Sequence, residues 1–236
     1  MLYLYGIIDT PGPLNFTCAG RDVFTVACVN IGALVSPGSG AMARVDDNNV
    51  LAHGEVLKNI AARHVLLPVK FGTLLAGQSD VEGLLTRNYR LFESSLQEVR
   101  GAVEMTVKAL WDAGREREKC SRKVLSACRG DDSPDRPGTA FLLQKRKEHL
   151  IGQCLKEAAG GPAEEIHGLL ARGAEKNIKR VLPTPGIFYH GSFMIKKENA
   201  GDFGQNFLAV REKYAGYKFL LTGPWPLYSF VSIKCS

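Results

Sequence analysis

The 236-residue sequence predicts an α+β protein of two domains, and three observations carry that prediction. Short apolar segments bounded by Gly, Pro and Asn recur at both ends of the chain, as strands do. Apolar residues at helical spacing fill the stretches between them. An apolar content of 45% with 23% charged residues is that of a globular chain long enough to bury one large core or two small ones.

Tyr3 to Ile8 reads as an opening strand closed by Thr10-Pro11-Gly12-Pro13. Asp22 to Ser36 is rich in β-branched residues and predicts two strands folding back near Val29-Asn30. Asp46-Asp47-Asn48-Asn49 offers N-caps for a helix to about Arg63, with Val56, Leu57, Ile60 and Ala61 on its buried side. Val65 to Phe71 reads as strand again. Ser79-x-x-Glu82 has the form of a capping box, followed by Val81, Leu84, Leu85, Phe92, Leu96 and Val99 at helical spacing. A first domain of residues 1–101 follows.

The second domain, residues 102–236, opens with a strand from Val103 to Trp111. The stretch near 113–137 reads as a variable loop, turn-rich from Gly130 to Gly138. A helical tract through Leu142, Leu143, Leu150 and Leu155 is expected to break at Gly160-Gly161-Pro162 and resume from Ala163 to about Arg180. Strand follows within Ile187 to Lys197. Asp202 then caps a helix with Phe203, Phe207, Val210 and Tyr214 in one stripe. Strands at Tyr217 to Thr222 and Leu227 to Ile233 complete a split-sheet, ferredoxin-like arrangement.

Composition restricts the chemistry. The longest uncharged stretch, Val23 to Ala43, holds Asn30 and the Pro37-Gly38-Ser39-Gly40 break, so its continuous apolar piece is shorter than the ~20 residues a bilayer requires. Met1 to Ile8 lacks a signal leader. The six cysteines show no C-x-x-C pair and read as reduced thiols of a cytosolic protein. Gly38-x-Gly40-x-x-Ala43 has the letters of a dinucleotide loop, but Asp46 to Asn49 intervenes before any helix. His53 and His64 lie about 16 Å apart along a helix, too far to share a metal. No nucleophile elbow, Walker loop or zinc-protease helix is present, and no catalytic, cofactor or metal residue is assigned.

Charge is asymmetric. Residues 1–100 hold eight Lys/Arg against nine Asp/Glu, and residues 101–236 hold 22 against 15. The basic half is densest at Arg115 to Lys123 and at Lys145-Arg146-Lys147. Such a surface suits an acidic protein, nucleic acid or anionic lipid, or is simply solvated. Nucleic acid fits less well, because the aromatics sit in apolar stripes rather than among the cations. A small-molecule enzyme needs a pocket that no sequence displays.

Gly223-Pro224-Trp225-Pro226 is a stiff corner that no regular strand is expected to cross, and Trp225 has two readings. As structure, its indole plugs the domain end. As function, a proline-flanked aromatic on a surface anchors a partner. This corner resembles the carboxyl-terminal signature of the gas vesicle protein F/L family, minor proteins of buoyant protein-walled organelles. Leu2-Tyr3-Leu4-Tyr5-Gly6-Ile7-Ile8 is similar to the family's opening strand, and Val65-Leu66-Leu67-Pro68-Val69-Lys70-Phe71-Gly72-Thr73 to its central motif. His53 to Leu57 and Gly138 to Lys147 resemble further pieces in the family's order. Leu227 departs from the pattern where a third proline is expected, and Ala113 to Arg136 matches nothing in it.

The resemblance implies a non-catalytic protein required for gas vesicle assembly. It would bind the main shell protein, gas vesicle protein A (GvpA), and other minor gas vesicle proteins, without cofactor, nucleic acid or membrane. It would be cytoplasmic before assembly and on the vesicle afterwards. The shell protein being acidic, Lys145, Arg146 and Lys147 are the candidate docking cations, with Trp225 the candidate apolar anchor.

Overall fold

The computed structural model describes residues 1–10, 12–127, 137–182, 186–231 and 233. The chain divides into two compact units. Unit 1 comprises Met1–Glu104, Met194–Lys197 and the chain from Gly223 onward. Unit 2 comprises Met105–Phe193 and Glu198–Thr222.

Unit 1 is built on β1 (Leu2–Asp9), β2 (Asn15–Cys18), β3 (Arg21–Cys28), β4 (Ile31–Pro37), β5 (Leu66–Pro68) and β6 (Leu74–Leu75), with helices α1 (Asp47–Ala61) and α2 (Gln78–Glu98). The strand order is β2-β3-β4-β1-β5, and β6 also pairs with β1. Antiparallel pairing sets Ile8 opposite Gly32 and Phe24 opposite Val35. The register of β1 on β4 shifts between Leu4 and Gly6. A Cβ at Gly6 would stand 2.6 Å from the Leu67 carbonyl oxygen, so only glycine permits β5 to pair there.

That bulge resets the side-chain alternation. Leu4 and Ile7 join Val81, Leu84, Leu85 and Phe92 of α2, while Tyr3, Tyr5 and Ile8 join Val56, Leu57 and Ile60 of α1. Strand β1 is thus buried on both faces, which is why it reads as a nearly continuous apolar run. Asp46 caps α1 by accepting the Asn49 N–H at 2.8 Å. The expected cap of α2 at Ser79 is displaced: Gly77 is the N-cap, and Asp80 accepts its N–H at 3.1 Å. Gly38 belongs to no nucleotide loop. A Cβ there would meet the Tyr3 backbone nitrogen at 2.8 Å, so this glycine serves a close approach of two chain segments.

Unit 2 contains α3 (Ala113–Ala127), α4 (Pro137–Leu170), β8 (Lys176–Val181) and α5 (Ala200–Lys213). It also holds most of β7 (Ala102–Leu110), β9 (Ile187–Lys196) and β10 (Lys218–Trp225). The sheet order is β10-β7-β9-β8.

The structure departs from several sequence expectations. The stretch expected as a variable loop is helical over Ala113–Ala127, and its Cys120 and Val124 pack with Ile151 of α4. The remainder of that loop, 128–136, lies outside the described residues. Cys120 and Cys154 form a disulfide with Cα atoms 5.7 Å apart, so these two are not the free thiols expected. Sequence spacing gave no hint, because only the packing of α3 on α4 brings them together. Cys18 and Cys28 are free, and Cys128 and Cys235 lie outside the described residues.

Helix α4 does not break at Gly160-Gly161-Pro162 but passes through Pro162. Ala159, Ala163, Ile166 and Leu170 are buried at i, i+4, i+7 and i+11, so packing on both sides of the proline outweighs its cost of about 3 kcal/mol. The helix ends at Leu170, and the expected helix beyond it gives way to β8 at Lys176.

Strand β10 runs into Gly223-Pro224-Trp225, where no strand was expected. It is the edge strand of its sheet, so a residue without an N–H is tolerated on the unpaired side. The expected final strand is instead a turn, with Phe230 and Val231 donating to the Leu227 carbonyl at 3.2 Å. This terminal segment packs with unit 1 rather than with the carboxyl half, since Leu227 is 2% exposed within the core of unit 1.

Candidate functional site

An apolar groove of about 1340 Å³ opens within unit 1. One wall is a face of α1 that includes Val50, Leu51, Gly54, Lys58 and Ala61. These positions recur at i, i+1, i+4, i+8 and i+11, a stripe beside the one that packs on the sheet. The other wall is residues 99–103, Lys197 and the corner Gly223 to Tyr228. Glu104 fixes that corner by accepting the Ser229 N–H at 2.8 Å and the Ser229 hydroxyl at 2.5 Å.

Trp225 lines the groove and is 50% exposed. The plug that the sequence assigned to it is supplied by Leu227, the residue that departs from the family pattern. Leu51 is 70% exposed on the facing helix. Large apolar side chains on both walls are therefore open to solvent, at a scale and concavity that marks a binding surface.

His53 lies beneath the groove lining. It is 3% exposed, stacked on Tyr5 and meets Phe71 edge-on. Gly72 donates its N–H to the Tyr3 hydroxyl at 3.1 Å, which frees the phenolic proton for His53 Nδ1 at 3.0 Å. The imidazole proton then resides on Nε2, which has no hydrogen-bond partner among the described residues. Burial, and secondly the nearby positive charge of Arg21, lower the His53 pKa to about 4, so the ring is neutral at pH 7.

The rim is basic. Lys58, Arg63, Arg100 and Lys197 face only Asp9 and Glu55 among the charged carboxylates of the lining. Arg100 and Asp9 pair at 3.0 Å. His64 does not share a face with His53 for metal binding; its Nδ1 lies 3.1 Å from the Asp9 carbonyl oxygen. Among the described residues no cluster of His, Cys, Asp or Glu could hold a metal ion, and no helix is long and apolar enough to cross a membrane.

The other candidates lie on α4, in unit 2. Lys145 and Arg146 are exposed, Lys147 is half-buried, and the Lys145 ammonium sits 5.6 Å from the centroid of the exposed Phe141 ring. Trp225 belongs to unit 1, whereas Lys145, Arg146 and Lys147 belong to unit 2. The Arg115–Lys123 run is partly neutralised, by Arg117–Glu148 at 2.5 Å and Lys119–Glu116 at 2.6 Å. Sequence reading missed the groove itself and its unpaired His53. The signal available was the second apolar stripe of α1, with exposed Val50 and Leu51 ahead of the buried Val56 and Leu57.

Three comparisons place the chain. The family model described as gas vesicle synthesis protein GvpL/GvpF matches residues 1–232. Gas vesicle protein F2 of Halobacterium salinarum is 31% identical over 98% of this chain and 92% of its own length. Gas vesicle protein L1 of the same organism is 25% identical over 97% and 89%. The crystal structure of GvpF from an Anabaena species superposes with a TM-score of 0.79 at 21% identity, covering 99% of this chain and 98% of that one. GvpF from Microcystis aeruginosa gives 0.75 at 19% identity, covering 97% and 98%.

Proposed function

We propose, from the premise that this chain belongs to the gas vesicle GvpL/GvpF family, that it is a non-catalytic binding protein of gas vesicle assembly that engages the shell protein GvpA. The whole-chain family match is the observation that carries the reading. A shell subunit bound for a water-excluding wall exposes apolar surface before it assembles, and unpaired apolar surface aggregates. A partner with an apolar groove and basic surface suits the task of covering such a subunit and presenting it to the growing wall.

Two surfaces support contact with an acidic, apolar partner: the groove with Trp225 in unit 1, and the Lys145-Arg146-Lys147 run in unit 2. Order β10-β7-β9-β8, with helices between β7 and β8 and between β9 and β10, supports reading unit 2 as ferredoxin-like. On this reading the protein occupies the cytoplasm before assembly and the vesicle afterwards.

The test is capture of co-expressed GvpA by the tagged chain, followed by association rates at low and high salt. Capture is expected, with a rate that falls as salt rises and falls again when Lys145, Arg146 and Lys147 all become Gln. Single exposed charges contribute about 0–1 kcal/mol, so the three are replaced together. Failure to capture GvpA would refute the partner. A rate insensitive to both salt and the triple variant would remove α4 from the contact.

A further inference from the structure

We propose that the groove of unit 1 is a receptor site for an acidic amphipathic helix of a partner protein, gripped by Trp225 and oriented by the cations of the rim. The proposal rests on the reading of the chain as a binding protein and assigns its docking site.

Size comes first. At about 1340 Å³ the groove exceeds the roughly 300–1,000 Å³ of small-molecule pockets, so it suits a chain segment better than a metabolite. Its walls are two rigid elements, α1 and the corner pinned by Glu104 to Ser229. A rigid wall bearing a half-exposed tryptophan beside two prolines loses little freedom on binding, which is the condition of an interface anchor. The facing stripe of α1 meets the apolar face of a helix through Val50, Leu51 and Ala61.

Charge fixes the partner's polar face. Lys58, Arg63 and Lys197 are exposed at the rim and make no ion pair among the described residues, whereas Asp9 is occupied by Arg100. An acidic helix neutralises these cations; a basic helix is repelled. A bare apolar surface would also take lipid, but a bilayer is met by a protruding face, whereas this one is concave between two walls.

Gly54 supplies a blocking variant that keeps the fold. Nothing lies within 4 Å of a Cβ built there, and Leu is a better helix former than Gly. Gly54→Leu therefore adds bulk to the groove wall without disturbing the core.

The probes are synthetic 18-residue helices with a Leu face and a Glu face, and their Lys counterparts. Binding is read from tryptophan emission in a Trp111→Phe background, and by calorimetry. The acidic helix is expected to bind at least tenfold tighter than the basic one, with a blue shift of Trp225 emission. Gly54→Leu, Trp225→Ala and the combined Lys58→Glu, Arg63→Glu, Lys197→Glu variant should each weaken it tenfold or more with unchanged melting.

Equal binding of acidic and basic helices, or full binding by Gly54→Leu and Trp225→Ala, would overturn the site. Binding of oleate vesicles in preference to either helix would make it a lipid site instead and also overturn the proposal. Capture of GvpA retained by Gly54→Leu would refute the groove while leaving the proposed function standing; a wild type that binds the helices but not GvpA would do the reverse.

Discussion

Each unit buries a tyrosine–histidine pair, and the two pairs differ in one bond. In unit 2 the Tyr189 hydroxyl lies 2.9 Å from His167 Nδ1, and Asn177 Oδ1 lies 2.9 Å from Nε2. The amide oxygen can only accept, so the proton sits on Nε2 and Tyr189 donates to Nδ1. In unit 1 the same logic puts Tyr3 as donor to His53 Nδ1 and leaves the Nε2 proton with nothing. One network is closed and the other open, and the open one borders the groove. A fully satisfied buried network holds a fold together; a partly satisfied one is costly and calls for a reason.

The closed pair should show the largest effect when broken. His167→Ala removes a ring packed against Phe193 and leaves the buried Tyr189 hydroxyl unpaired, while exposed Asn177 turns to water. The expected cost is about 3–4 kcal/mol, combining cavity and lost hydrogen bonds. Calorimetry should show the melting temperature falling by roughly 10 °C. A drop of only a degree or two would mean that the network is not structural and that the contrast between the units is false.

Acid should act on the open pair next. The folded pKa of His53 is about 4, below the ordinary 6.5, so the unfolded chain takes up the proton first as pH falls. The stabilising effect of keeping His53 neutral is complete above 6.5, shrinks between 6.5 and 4, and is gone below that. The loss should reach about 3 kcal/mol at pH 4. Urea unfolding of wild type and His53→Gln at pH 7, 5 and 4 isolates this contribution from that of the carboxylates. Parallel curves for the two proteins would show that His53 is not buried neutral.

A conversion test sharpens the comparison at smaller scale. Asn177→Leu gives His167 the condition that His53 has natively, a buried Nε2 proton without an acceptor. Destabilisation of about 1–3 kcal/mol is expected, which would measure what unit 1 tolerates at its open pair. No change in urea stability would imply that water fills the vacancy and that the orphaned donor of His53 carries no meaning.

Which parts were legible in the sequence follows from the range of the forces involved. The strands β1, β3 and β4, the caps of α1 and the stripes of α2 and α5 are set by local periodicity, and each is where the residues put it. Misreadings occurred where distant packing overrode a local signal. Pro162 says break, but Ala159, Ala163, Ile166 and Leu170 hold the helix on both sides of it. Cys120 and Cys154 say nothing at a separation of 34 until α3 lies on α4. Pro224 says no strand, unless the strand is an edge, and edges are assigned only by the whole sheet. The site shows the same division. The Gly223-to-Pro226 corner is visible as a motif, but whether Trp225 or Leu227 turns inward depends on the core of unit 1. The groove depends on the distance between α1 and that corner.

Trp225→Ala should have the smallest effect on stability and the most specific effect on binding. An aromatic buried as a plug would cost roughly 3–5 kcal/mol on truncation. Trp225 instead leaves half its surface in water, and the core position beside it is filled by Leu227. Its removal should therefore shift stability by less than about 1 kcal/mol, within the range of surface substitutions. Leu227→Ala is the control, since that side chain is 2% exposed in the core and its truncation should cost about 2–5 kcal/mol. Urea unfolding of both variants, with the capture of GvpA measured on the same preparations, separates the two roles of the corner. If Trp225→Ala melts like Leu227→Ala, the indole is structural after all and its exposure marks no anchor. If it melts like wild type and loses the partner, the corner divides its labour between neighbours: Leu227 holds the fold, and Trp225 faces outward to bind.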